Sequence, residues 1–421
     1  MRKSLSLVCT LLCLQFLISC STTSSAESKE QAITSHHKVL GDKYLSHFYQ
    51  FNRQEIGHQP GKLLREEALL DHQSVPGAAK NVRLLYTSTD GLDETTILAV
   101  SGALFLPDGE PPKEGWPIIL WSHGTVGIAD HCAPSWTGYV PFHQEYLGQW
   151  LSQGFAILAS DYQGLGTEGI HPYLATQPAA YSNLDLLRAM KKSKYNLSDK
   201  VVVVGQSQGA SAAIATAAYA ESYAPDLSIL GVVATGVPFF SPEAIVALQQ
   251  ARPKDRVDPM LGYNFLALTL VEQLLPDFSL EDYVFDSVIP TARAVADVCN
   301  RDMRARITEE KLSYNSTFKK SPEEPLKTAF GAMGIPTLKL PAPIYVGVGA
   351  LDKDTPPKMQ ANFISKACTS GSQIQAVLYQ GHDHLSVLNH STKDSIPFVK
   401  NLFIGNLPSS NCNESILEEK R

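Results

Sequence analysis

Positive charge never gathers in this chain. Its 35 lysines and arginines are outweighed by 42 acidic residues, for a formal charge of −7. No basic run or basic-aromatic patch breaks the sequence, which excludes the electrostatic footprint of a nucleic-acid binder. Beyond the first twenty residues, no segment has the uninterrupted apolar length of a membrane helix. Internal repeats are absent. Zinc-type spacing is missing as well: Cys132, Cys299, Cys368 and Cys412 fall in no C-x2-C or C-x2-H pattern. No nucleotide or metal signature is evident, so no cofactor is expected.

At the start, Arg2 and Lys3 precede an apolar run, Leu5 to Ile18, of secretory-leader length. It ends in Leu17-Ile18-Ser19-Cys20, which resembles the lipobox of bacterial lipoproteins. The resemblance implies cleavage before Cys20 and acylation of its thiol. Ser21, where no aspartate stands, resembles an outer-membrane sorting signal. Residues 1–19 are read as the signal peptide and 20–37 as a flexible tether, because Ser21 to Gln31 is polar and lacks aromatics. The expected location is the cell envelope, lipid-anchored at the outer membrane rather than spanning it. Of seven cysteines, Cys9 and Cys13 leave with the signal and Cys20 is the anchor. The remaining four imply two disulfides, with three possible pairings.

Short apolar runs alternate with helical segments along most of the chain. Val82 to Thr87, Thr96 to Phe105, Pro117 to Trp121, Phe155 to Ala159, Val201 to Val204, Ile229 to Ala234, Ile344 to Val348 and Ile374 to Tyr379 read as strands. Asn183 to Lys192 and Ala210 to Glu221 read as helices. This alternation predicts parallel βαβ units and a doubly wound, mostly parallel α/β sheet. It breaks over 241–336, where LGYNFLALTLVEQLL and ARAVADVCN have helical period. That stretch is too long for one crossover and is read as a helical cap inserted after the sixth strand. The core is then 38–240 and 337–421.

The strongest chemical signal is Gly205-Gln206-Ser207-Gln208-Gly209. It follows a valine strand and precedes an alanine-rich helix, the context that a G-x-S-x-G nucleophile turn requires. A strand turning this sharply into a helix forces Ser207 into a strained backbone and leaves no room for side chains two residues away on either side. The turn would raise the Ser207 hydroxyl above the sheet and aim the Gln208 N–H at a developing oxyanion.

This strand–turn–helix resembles the α/β-hydrolases, and the resemblance guides the remaining assignments. Ser122-His123-Gly124-Thr125 follows an earlier strand where that superfamily places its second oxyanion donor, here Thr125 with Gly124 beside it; His123 then braces the loop. The triad runs serine, acid, histidine in chain order. Gly349, Asp352 and Pro356 fit the family pattern for the acid, with Asp354 as the alternative or as a helix cap. In YQGHDHLSV, His384 stands at the distance from the strand-end Tyr379 expected of the base, and His382 comes two residues early. HGTVGIADHCAPSW, Asp161-Tyr162-Gln163-Gly164-Leu165-Gly166, the Asn183–Ala189 helix, GQSQGA and the later GVP together resemble the secretory lipase family, whose fungal lipase-A-like members are best known. That resemblance spans most of 80–405. It implies a lid after the sixth strand and disulfides Cys132–Cys299 and Cys368–Cys412.

The leading expectation is a serine carboxylic-ester hydrolase with Ser207, Asp352 and His384 as triad, acting on an ester with an apolar acyl chain. A peptidase or amidase on the same fold uses the same triad, and hydrolysis of esters against amides separates the two. A non-catalytic surface lipoprotein would not need all of these groups together. A metal site at His382, Asp383 and His384, with His390, lacks further ligands in the sequence. Oligomeric state is not encoded in any pattern found.

Overall fold

The valines of Val201–Val204 show how the sheet is built. Val201 and Val203 join a core with Leu84, Leu120 and Ile214, while Val202 and Val204 join another with Phe105, Trp121 and Trp150. A strand buried on both faces needs apolar residues at every position, so its sequence is a continuous run rather than an alternation. The computed structural model describes residues 45–241, 243, 245, 254–414 and 416. The signal peptide, Cys20 and the tether lie outside these residues.

The strands are β1 (Leu63–Ala68), β2 (Lys80–Thr89), β3 (Ile97–Leu106), β4 (Trp116–Ser122), β5 (Ala156–Ser160), β6 (Leu197–Gln206), β7 (Ser228–Thr235), β8 (Ile344–Gly349) and β9 (Ile374–Tyr379). The longer helices are α1 (Pro141–Ser152), α2 (Thr176–Lys191), α3 (Gln208–Tyr223), α4 (Leu261–Leu274), α5 (Asn300–Glu309), α6 (Glu323–Ala332), α7 (Pro357–Thr369) and α8 (Thr392–Phe403). One nine-stranded sheet runs β1-β2-β3-β5-β4-β6-β7-β8-β9. Pairs along β1-β2-β3-β5 are antiparallel and those from β5 through β4 to β9 are parallel. This is the mostly parallel α/β architecture expected from the alternation.

Register places the working loops together. Ser122 pairs with Ser160 and Gly205, Gln206 with Thr235, Thr235 with Gly347, and Gly349 with Tyr379. The carboxyl ends of six adjacent strands therefore lie level, and the loops after them share one edge of the sheet. In open parallel sheets that edge is where ligands bind.

Two details depart from the sequence reading. The strand β1 was not anticipated: LLREEA carries Arg65, Glu66 and Glu67 on a part-exposed edge strand, where packing imposes little apolar pattern. It makes the strand before the helical insertion the seventh in chain order instead of the sixth. The segment ARAVADVCN is also not one helix. A short helix, Ile289–Ala294, ends within it, and Cys299 is extended (φ −82°, ψ 163°) before α5 begins. Cys299 is bonded to Cys132 and bridged to Gly127, a tie that overrides the local helical period.

Between β7 and β8, helices α4, α5 and α6 build their own core around Phe265, Leu266, Leu268, Leu270 and Val271, together with Ile128 and Tyr173 from the loops below. The helix α4 is apolar on nearly all sides because it is enclosed on nearly all sides. Asn300 reaches down to the β4 loop, its N–H donating to the Val126 carbonyl at 2.8 Å. The second disulfide, Cys368–Cys412, fastens the C-terminal tail to α7. Among the described residues, no helix is long and apolar enough to cross a membrane.

Candidate active site

Ser207 sits between β6 and α3 with φ 58° and ψ −124°, a region that non-glycine residues occupy only under constraint. The flanking glycines show the constraint. A Cβ at Gly205 would lie 1.9 Å from the Gly209 carbonyl oxygen, and one at Gly209 would lie 1.9 Å from that of Ser122. No side chain fits either place. Gln208 is the first residue of α3, where the backbone N–H has no intrahelical partner. Ser207 is held from the other side by its N–H, which donates to the Thr235 carbonyl at 2.9 Å.

The loop after β4 lies against this turn. A Cβ at Gly124 would meet the Gln206 Oε1 at 2.7 Å and the Ser207 Cβ at 3.4 Å. The insertion holds the loop through the Asn300 side-chain amide, which donates to the Thr125 carbonyl at 3.3 Å. The Thr125 hydroxyl is 3.1 Å from that of Tyr173. His123 is buried, its ring stacked on Tyr162 and its Nδ1 2.7 Å from the Gly124 carbonyl. It braces the loop.

After β8, the chain turns so that the Asp352 carboxylate faces inward, fully buried. It accepts hydrogen bonds from the N–H of Asp354 at 2.9 Å, the N–H and hydroxyl of Thr355 at 2.8 Å each, and the Gln360 amide at 3.2 Å. His384 Nδ1 donates to Asp352 Oδ2 at 2.8 Å. That bond fixes the tautomer and leaves Nε2 as the free, basic nitrogen. A Cβ at Gly236 would lie 2.7 Å from the imidazole Cε1, so this glycine after β7 makes room for the ring. The Gln206 amide donates to the His384 carbonyl at 3.2 Å, tying the histidine loop to the residue before Ser207.

The alternative residues go elsewhere. Asp354 forms an ion pair with Arg304 at 3.5 Å, and Pro356, not Asp354, occupies the N-cap of α7. His382 stacks on His390 with centroids 3.9 Å apart. The two face each other as flat rings and do not converge on a point with His384. Among the described residues, the only trio spaced to share a metal ion is His131, Cys132 and Cys299, and its two sulfurs are bonded to each other.

Ser207, Gln208, Thr125 and Asp354 line a cavity open to solvent. Much of the rest of its wall is apolar, from Leu261, Ala267, Leu326, Phe330 and Met333 of the insertion. Tyr173 and Tyr263 stack in that wall with centroids 6.3 Å apart. The sequence reading missed Thr355, Gln360, Tyr173, Tyr263 and Arg304. Thr355, three residues after Asp352, is a recognisable turn signal, whereas the other four come from separate elements and leave no local trace.

Comparison with known proteins agrees with this architecture. Residues 133–251 match the secretory lipase family. Lipase A of Moesziomyces aphidis is 23% identical over 369 residues, covering 80% of this chain and 75% of that one. The X-ray structure of Candida antarctica lipase A superimposes with a TM-score of 0.72 at 20% identity, covering 90% of each chain. A rice cell wall degrading esterase, LipA of Xanthomonas oryzae, gives 0.65 at 18% identity, over 82% of this chain and 97% of that one. The chain thus shares the mostly parallel α/β fold of these lipase and esterase structures, and its residues 133–251 match the secretory lipase family.

Proposed function

We propose that the protein is a serine carboxylic-ester hydrolase that works through Ser207, His384 and Asp352. The observation that carries this is the buried 2.8 Å bond between His384 and Asp352, on the same sheet edge as the strained Ser207. In this reading His384 Nε2 takes the Ser207 proton as the hydroxyl attacks the ester carbonyl. The same nitrogen returns the proton to the departing alcohol, and water repeats the cycle on the acyl-enzyme. Asp352 holds the ring and stabilises its charged form. The N–H groups of Gln208 and of the Gly124–Thr125 loop receive the oxyanion.

Residues 241–336 act as the cap of this site, and their apolar wall takes the acyl chain. The composition of that wall favours esters of apolar acids over peptide bonds. Two disulfides and the match to secretory lipases support export. Cys20 is proposed as the lipid anchor to the outer membrane; replacing it with alanine should move the protein from the membrane to the soluble fraction. A fluorophosphonate probe tests the nucleophile. Labelling is expected on the wild-type enzyme and not on Ser207→Ala, and labelling that survives the substitution would overturn the assignment.

A further inference from the structure

The two proposed oxyanion donors stand on loops far apart in sequence, after β4 and after β6. Both loops reach the same third segment, the turn after β5. There Tyr162 adopts φ 70° and is fully buried. Its hydroxyl donates to the His123 carbonyl at 3.0 Å, and its ring stacks on His123 with centroids 4.3 Å apart. The ring of His171 is nearly parallel to that of Tyr162, at 15° and 6.0 Å between centroids. His171 Nδ1 donates to the Gln163 carbonyl at 2.8 Å. Since a carbonyl only accepts, Nδ1 carries the proton, and in the neutral ring Nε2 is then the acceptor. The Gln208 side-chain amide donates to this Nε2 at 2.9 Å.

We propose that Tyr162 and His171 are positioning residues that set the spacing between the two oxyanion donors. Tyr162 pins the carbonyl preceding Gly124, and His171 pins the side chain of Gln208. Both stand on the segment between β5 and α2, and the bond from His171 to the Gln163 carbonyl ties them together, which couples the positions of the two donors. Burial supports the required neutral imidazole, because it holds His171 down at about 4. A Cβ at Gly164 would lie 2.6 Å from the His171 backbone nitrogen, so glycine there lets the segment close onto this histidine. His171 takes no part in the proton transfers of the proposed triad.

This inference rests on the serine-hydrolase reading, and the test separates the two. His171→Phe keeps an aromatic ring but removes the acceptor. His171→Gln offers an amide oxygen near the Nε2 position. A donor that is displaced without being deleted should cost less than outright loss of one, so His171→Phe should lower kcat roughly 10- to 100-fold. KM on p-nitrophenyl butyrate should stay nearly constant, because the donors act in the transition state. His171→Gln should recover most of kcat. Gln208→Leu, which leaves the backbone N–H in place, should reproduce the His171→Phe loss and stands in for it if that variant does not fold. Wild-type kcat in a folded His171→Phe or Gln208→Leu enzyme would overturn the proposal, as would a loss carried mainly by KM. Failure of fluorophosphonate to label wild-type Ser207 would overturn the serine-hydrolase reading, and this inference with it.

Discussion

His384 and His382 are two residues apart on one loop and have different surroundings, so their substitutions should differ sharply. His384→Ala removes the ring bonded to Asp352 and should lower kcat by roughly 10⁴- to 10⁶-fold, as loss of a triad member does. His382→Ala removes only a ring stacked on His390 and should leave most of the turnover. Steady-state kinetics on one short-chain p-nitrophenyl ester decide this, and the reverse order would reassign the base. Asp352→Asn should lower kcat by roughly 10³- to 10⁴-fold. The asparagine would meet Thr355 and Gln360, which are placed to donate to a carboxylate. The contrast with Asp354 shows why the sequence alone left two candidates. Both aspartates follow β8 at plausible spacing, and only the path of the turn sends one toward the imidazole and the other toward Arg304.

Among the elements, α4 contributes Leu261, Tyr263, Asn264 and Ala267 to the cavity wall. Ala267 is buried on this helix and lines the cavity. Ala267→Trp would fill apolar volume without touching the triad. The expected result is unchanged hydrolysis of acetyl and butyryl esters with a fall for long-chain esters, read from kcat/KM across a chain-length series. An unaltered profile would place the acyl chain elsewhere. The insertion was recognisable from its length and helical period, but its inner break was not. Nothing in ARAVADVCN signals that Cys299 must leave the helical path, because its partner Cys132 is 167 residues away.

At the scale of the whole molecule, the Cys132–Cys299 bridge closes a long loop between the β4 side of the core and the insertion. Chain-entropy reasoning assigns such a closure about 5 kcal/mol. The Cys132→Ser/Cys299→Ser double variant should therefore show a markedly lower midpoint in urea, measured by circular dichroism. Acid should also destabilise the fold through buried histidines. Burial lowers His143 to about 3 and His171 to about 4, whereas unfolded histidines titrate near 6.5. Stability from excluding these protons is present above pH 6.5 and is lost as pH falls from there toward 4. The loss is about 1 kcal/mol per group per pH unit. Thermal melts should fall over that window, and His171→Gln should flatten the slope. An equally steep slope in the variant would mean that His171 is not held neutral.

The glycines around Ser207 could be understood without the fold. A tight strand-to-helix turn is a local steric problem, and Gly205 and Gly209 are its only solution, so ten residues of sequence were enough to find it. The α/β alternation was equally local, because a strand buried on both faces has to be apolar throughout. The choice of Asp352 over Asp354 and the pairing of His384 with that acid belonged to the tertiary structure. So did the contacts that bring His123 and His171 against Tyr162. In each case the deciding contact joins side chains brought together only by the level ends of parallel strands, a register set by the packing of the whole sheet.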